Sequence, residues 1–167
     1  MLAEKIKQDL KNAMKEKARD KVRTLRLLRA ELVNMGKEKR YRAAKKEGGL
    51  SEGEIEKKSE LTDKEALKAV VSEVKKRREA IEEFKKGGRE DLVKKEQEEL
   101  AVLKEYMPEQ MDEAEVRKEA ARVIKETGAG AMQDMGKVMK ELMPRLKGRA
   151  DGSLVSRVVK EILGEDD

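Results

Sequence analysis

Arginines at positions 19, 23, 26 and 29 are the residues whose type and spacing best suit a chemical task. At about 100° per helical residue, the first three share one face and Arg29 lies at its flank. A guanidinium carries a rigid fork of donors that can grip a phosphate through two parallel hydrogen bonds. Such a helix could track a polyanion backbone. No aromatic residue interleaves between positions 19 and 29, so the segment offers no base-stacking surface. Recognition would then be of backbone and shape, as for structured RNA. The plainer reading is a solvated face paired with nearby Glu and Asp.

A second basic group, Lys137, Lys147, Arg149, Arg157 and Lys160, lies around the turn Lys147-Gly148-Arg149-Ala150-Asp151-Gly152. Gly148 and Gly152 suit a turn or cap, and Asp151 suits the N-cap of the last helix. Gly136, inside a helical pattern, predicts close approach of another backbone. A third group is Arg78 with Glu96 and Glu99. Arg78 falls within about 20° of Leu67 on the apolar stripe of its helix. Glu96 and Glu99 fall on or near the stripe of the next. Charges among aliphatic side chains need partners, which predicts an ion pair of Arg78 with Glu96 and Glu99 that fixes helix register. Paired carboxylates for acid–base or metal work are the competing reading.

Other chemistry is poorly served. The chain has no histidine and no cysteine, which removes the commonest general base, the commonest metal ligand and any disulfide. Ser51, Ser59, Ser72, Ser153 and Ser156 therefore have no histidine to activate them. Gly128-Ala129-Gly130 is a bare GxG with no strand before it, and no phosphate-binding loop occurs. No cofactor and no metal are expected.

The elements that must position these residues follow from composition. Of 167 residues, 46% are charged and only 2% aromatic, so the core must be built from Leu, Val, Ile, Ala and Met. That chemistry suits packed helices better than sheets. The net charge of +5 is uneven: residues 1–50 hold sixteen Lys and Arg against seven Asp and Glu. Residues 51–110 hold fourteen against seventeen, and residues 111–167 eleven against twelve. The basic excess belongs to the first fifty residues, and a local positive surface attracts polyanions. Two Asn and four Gln amid abundant Lys, Glu and Arg fit a thermophilic source. No apolar run is long enough to span a membrane, so a soluble, cytoplasmic monomer is expected.

Periodicity predicts a helix over 2–17 and a second over 19–44 with Val22, Leu25, Leu28, Leu32 and Met35 inward. Residues 47–60 are glycine-rich and polar, and read as a mobile loop holding about one helical turn. Thr62 and Glu65 form a capping box for a helix that ends at Gly87-Gly88. A further helix runs to about residue 106. The break at Tyr106-Met107-Pro108 marks a domain boundary, with domains at 1–107 and 108–167. Asp112 and Glu115 cap a helix to about residue 126. Two more amphipathic helices follow. The first has Met132, Met135, Met139, Leu142, Met143 and Leu146 as its apolar face, with a kink or stop near Met143 imposed by Pro144. The second has Leu154, Val155, Val158, Val159 and Ile162. The fold class is all-α: an N-terminal helical bundle with a long hairpin, and a small three-helix C-terminal module.

The run Asp134-Met135-Gly136-Lys137-Val138-Met139, followed by Gly148-Arg149-Ala150-Asp151-Gly152, resembles the C-terminal module of the GatB/YqeY family. Arg77-Arg78, Phe84, Gly88-Arg89-Glu90-Asp91-Leu92, Glu96, Glu99 and Tyr106-Met107-Pro108 resemble the middle section of the stand-alone YqeY type, and Leu25-Arg26-Leu27-Leu28 matches more weakly. In that family the module is the tail domain of the GatB subunit of tRNA-dependent amidotransferases. The resemblance implies contact with tRNA or another structured RNA, and an amidotransferase or translation-related protein as a possible partner. Carbon–nitrogen ligase activity with glutamine as amido donor is the enzymatic alternative it implies, and a protein adaptor using the Met-rich surface is a third.

Overall fold

A computed structural model describes residues 1–46, 49 and 51–165, and every regular element among them is helical. The chain divides into two compact units, Met1–Met107 and Pro108–Asp167. The first unit holds α1 (Leu2–Lys15), α2 (Arg19–Lys46), α3 (Glu52–Ser59), α4 (Asp63–Lys86) and α5 (Glu90–Lys104). The second holds α6 (Glu113–Thr127), a 3-10 turn over Met132–Asp134, α7 (Met135–Arg145) and α8 (Gly152–Glu165).

In the first unit α4 and α5 form an antiparallel hairpin, α1 packs along α2, and α2 also meets α3, α4 and α5. The hairpin turn closes because Gly88 adopts φ 67°, a left-handed conformation that an L side chain resists. The turn returns hydrogen bonds from Gly87 N to the Glu83 carbonyl at 3.0 Å and from Arg89 N to the Phe84 carbonyl at 2.9 Å. The core gathers Ile6 and Leu10 of α1, Leu25, Leu28 and Leu32 of α2, Ala66, Ala69, Val70 and Val74 of α4, and Leu103 of α5. Tyr106 closes it, its hydroxyl donating to Asp9 at 2.9 Å. Burial and that acceptor push the Tyr106 hydroxyl above its ordinary pKa.

The second unit packs α6, α7 and α8 against one another. Its core is nearly all β-branched or leucine: Val116, Val123, Ile124, Val138, Leu142, Leu146, Val155, Val158, Val159 and Leu163. Asp112 and Glu115 cap α6 reciprocally at 2.8 and 2.9 Å. Asp151 accepts from Ser153 N at 2.9 Å and so caps α8.

Four expectations change on contact with the structure. Residues 52–59 form a helix of two turns rather than a loop with one. Ser51 and Glu54 make a complete capping box there, which offsets the weak periodicity. Residues 47, 48 and 50 of the expected mobile loop lie outside the described residues. The apolar face of α7 keeps Leu142 and Leu146 buried and Met135 and Met139 packed against the core, but Val138 joins it, while Met132 and Met143 stand 41% and 37% exposed. Helix α7 continues through Pro144 to Arg145, because only one intrahelical donor is lost and Leu146 N still reaches the Leu142 carbonyl at 3.1 Å. Gly136 answers to no close approach, since a Cβ there would meet nothing within 4 Å.

The capping box of α4 joins α2 to the hairpin. Glu65 accepts from Thr62 N at 2.8 Å and from Lys39 of α2 at 2.8 Å, and these donors hold its carboxyl down at about 2. A depressed folded pKa contributes stability that is complete above the unfolded value and fades as pH falls through the folded one. Glu65→Gln should therefore lower the urea midpoint at pH 7. That deficit should shrink as pH falls from 4.5 through about 2. Urea titrations of both proteins across this range provide the check, and a pH-independent difference would refute it.

Candidate nucleic-acid interface

Glu99 lies on the inward face of α5 with only 5% of its side chain exposed. A bare carboxylate there would be strongly destabilising. Two helices supply its counter-charges. From α2, Arg23 approaches Oε1 with Nη2 at 2.9 Å and Nε at 3.1 Å. From α4, Arg77 donates Nε to Oε2 at 2.8 Å. Arg77 also reaches Glu96 at 3.3 Å and Glu73 at 3.4 Å, and Lys76 donates to Glu73 at 2.6 Å. That bond holds the Lys76 ammonium above its ordinary pKa. Arg23 Nη2 and Glu96 Oε2 are buried without an aligned hydrogen bond, so they meet their partners by charge alone.

The cation on Glu96 and Glu99 is thus Arg77, one position before the expected Arg78; Arg78 is half-buried beside it and has an interaction of its own. The reason is the phase of α4. The expectation was anchored on Leu67, which is half-buried, whereas Ala66 is fully buried. Shifting the stripe back one residue places Arg77 within about 20° of its line. Glu96 and Glu99 both join the network as partners of Arg77.

The network also sorts the arginines of α2. Arg23 turns toward Glu99, with Asp20 at 3.3 Å, and so is withdrawn from the expected phosphate-gripping set. Lys21 is tied to Glu105 of α5 at 2.7 Å. Arg19, Arg26 and Arg29 are exposed and make no hydrogen bond or ion pair with any described residue. All three acids of α2, Asp20, Glu31 and Glu38, lie on one flank, about 100° to 120° from Arg19 around the axis. The outward face therefore carries cations and no acid, with Arg19, Arg26 and Arg29 on its first half and Lys37 beyond Ala30, Val33 and Asn34.

The cations of the second unit are mostly engaged within it. Arg157 holds Glu113 at 2.8 Å and Glu161 at 3.5 Å, which raises its pKa and cancels its charge locally. Lys137 donates to the Thr127 carbonyl at 2.6 Å, at the C-terminal end of α6 where a cation is favourable. Arg149 is exposed with Nε 3.5 Å from the Glu109 carbonyl, and Lys147 is half-buried with a partner of its own. Lys160 is exposed without a partner among the described residues.

No group of three or more acidic side chains able to hold a metal occurs among the described residues. No described helix is long and apolar enough to cross a membrane. These features define an all-helical protein of two units, with a bare cationic face on the first. The chain belongs to the YqeY-like family, whose model matches residues 42–163. That match takes in the end of α2 and nearly all of α3 to α8, and leaves out Arg19, Arg23, Arg26 and Arg29.

Three relatives extend the comparison. Altered inheritance of mitochondria protein 41, mitochondrial, of Pyrenophora tritici-repentis is 31% identical over 96% of this chain and 80% of its own length. The protein of that name in Eremothecium gossypii is 37% identical over 61% of this chain and 46% of its own. An uncharacterized protein of Schizosaccharomyces pombe is 28% identical over 62% and 70%. The mitochondrial names of two relatives overturn the expectation of a cytoplasmic protein, which rested on the lack of a membrane-spanning apolar run.

Removing Arg77 leaves Glu99 and Glu96 buried with one cation fewer. Arg77→Ala should cost about 3 kcal/mol of stability, the scale of a broken buried pair. Arg26→Ala, on the bare face, should change stability by no more than about 0.5 kcal/mol. Chemical denaturation of both variants measures the contrast, and equal effects would refute the assignment.

Proposed function

We propose that this protein is a non-catalytic RNA-binding protein that docks the outward face of α2 onto the phosphates of a structured RNA, with tRNA the leading candidate. One observation carries the reading. Arg19, Arg26 and Arg29 stay exposed and unpaired in a chain where most other arginines have found carboxylates. Three unpaired guanidiniums on one helix form a concentrated positive field, and phosphates are the groups their forks fit. The charge distribution supports it too, because the basic excess sits in residues 1–50, which include this face. So does the resemblance of the C-terminal module to the amidotransferase tail domain. In that module Arg149 and Lys160 are the exposed cations best able to add phosphate contacts, and Lys137, Lys147 and Arg157 serve mainly their own unit.

Phosphate docking displaces counterions, so affinity for tRNA should fall linearly on a log–log plot against salt. Each phosphate contact contributes about 0.7 to 0.9 to that slope. Replacing Arg19, Arg26 and Arg29 together by Ala should weaken tRNA binding and lower the slope by about two to three. Arg157→Ala should leave the slope unchanged, because its charge is already met by Glu113 and Glu161. Filter binding across a salt series provides the measurement. Absence of tRNA binding, or a slope indifferent to the triple substitution, would reject the proposal.

A further inference from the structure

The cationic face of α2 does not end at Arg29. The helix runs unbroken through Gly36 to Lys46, and on its outward line stand Arg19, Arg26, Lys37 and Tyr41, all exposed. Lys37 lies eighteen residues after Arg19, five full turns at 100° per residue, and Tyr41 follows about 40° away. The chain has one Phe, two Tyr and no Trp. Tyr106 is 4% exposed and Phe84 half-buried, whereas Tyr41 holds 67% of its surface in water. Its ring flanks an open recess of about 450 Å³ lined by Lys37, Glu38, Tyr41 and Arg42.

The charges around this ring suit a nucleotide. Lys45 Nζ sits 5.8 Å from the ring centroid, and Lys37 has no partner among the described residues. Glu38, the acid in the recess, is met by Arg42 at 3.3 Å. Lys37 precedes Tyr41 by one turn, about 6 Å along the axis. A base laid on the ring would keep its phosphate within reach of that ammonium. Stacking on an aromatic face requires a base that is unpaired and unstacked.

We propose that Tyr41 is a stacking platform for an unpaired base of the bound RNA, with Lys37 and Lys45 holding the adjoining phosphates. This rests on the RNA-binding reading above and adds what that face lacked, a contact to a base. The bound RNA would carry a single-stranded segment continuous with the helical region docked on Arg19, Arg26 and Arg29.

Fluorescence anisotropy with two RNA hairpins, each closed by a polyethylene glycol linker in place of a nucleotide loop, tests it, one blunt and one bearing a short single-stranded extension with 2-aminopurine in it. Tyr41→Ala should lose about tenfold in affinity for the extended hairpin and nothing for the blunt one, while Tyr41→Phe keeps both. Wild-type protein should quench the 2-aminopurine, and Tyr41→Ala should not. Tyr41 is exposed on a helix and Ala favours helix, so the variant should fold, with circular dichroism as the control. Equal losses on both hairpins, or no quenching by wild type, would overturn the stacking site alone. Binding of the extended hairpin only, with quenching, would sustain stacking and reject docking on helical phosphates. Binding of neither hairpin would reject both.

Discussion

A buried carboxylate organises the first unit. Glu99 sits inside α5, where it must be neutralised, and its two cations arrive on different helices, Arg23 from α2 and Arg77 from α4. Apolar packing alone would let such helices slide, because Leu, Val and Ala contacts are weakly directional. Two guanidiniums on one carboxylate are not. They set the rotation of α2 and of α4 about their own axes relative to α5. Lys39 with Glu65, and Lys21 with Glu105, repeat the device toward other points on α2. The helix is thereby fixed in rotation along much of its length.

That fixed rotation decides what α2 shows to solvent. With Arg23 turned inward, Arg19, Arg26 and Arg29 are left outward, and so are Lys37 and Tyr41 farther along. The core beneath is aliphatic and would tolerate modest rotation of a helix about its axis. The two pairs on Glu99 would not, because breaking either leaves that buried carboxylate short of a counter-charge. Stability and the exposed cationic face are therefore consequences of the same contacts. The second unit achieves rigidity differently. Its β-branched core packs tightly, and its arginines pair across helices, Arg117 with Glu161, Arg157 with Glu113, and Arg145 with Glu126.

The parts of this structure that were legible in the sequence are those written in local chemistry. Thr62 with Glu65, Asp112 with Glu115, and Gly87-Gly88 announce their helix boundaries because capping and left-handed turns depend on a few adjacent residues. What escaped depends on phase or on tertiary contact. Arg77 and Arg78 differ by one position, and the burial of Ala66 over Leu67 is what brings Arg77 onto the line that meets Glu99. Met132 falls outside α7, which begins only at Met135, and Val138 one turn on joins Met135, Met139, Leu142 and Leu146 on the inward face. The short helix after Ser51 did carry a signal, its capping box, hidden by the glycines around it. Tyr41 lies twelve residues beyond Arg29, outside the arginine segment that carries the sequence signal. Carrying the same angular count to the end of α2 brings it onto the face.

The bare face itself has a cause that can be read along the helix. Several surface cations of this protein find an acid one turn away, as Lys7 does with Glu4, Lys86 with Glu83 and Arg122 with Glu126. Arg26 cannot, because its neighbours three and four positions away are Val22, Arg23, Arg29 and Ala30. Arg29 cannot either, with Leu25, Arg26, Leu32 and Val33 in those places. Instead Arg26 and Arg29 repel each other at i, i+3, an interaction that destabilises a helix by about 0.2 to 0.5 kcal/mol. An acid at position 30 or 33 would have relieved it at no cost to the core, since both positions are exposed. The fold thus tolerates a small, avoidable repulsion on the one face whose rotation its buried ion pairs hold fixed. A polyanion laid along α2 would relieve that repulsion. The attraction of this face for a polyanion comes as much from where α2 lacks acids as from where it carries arginines.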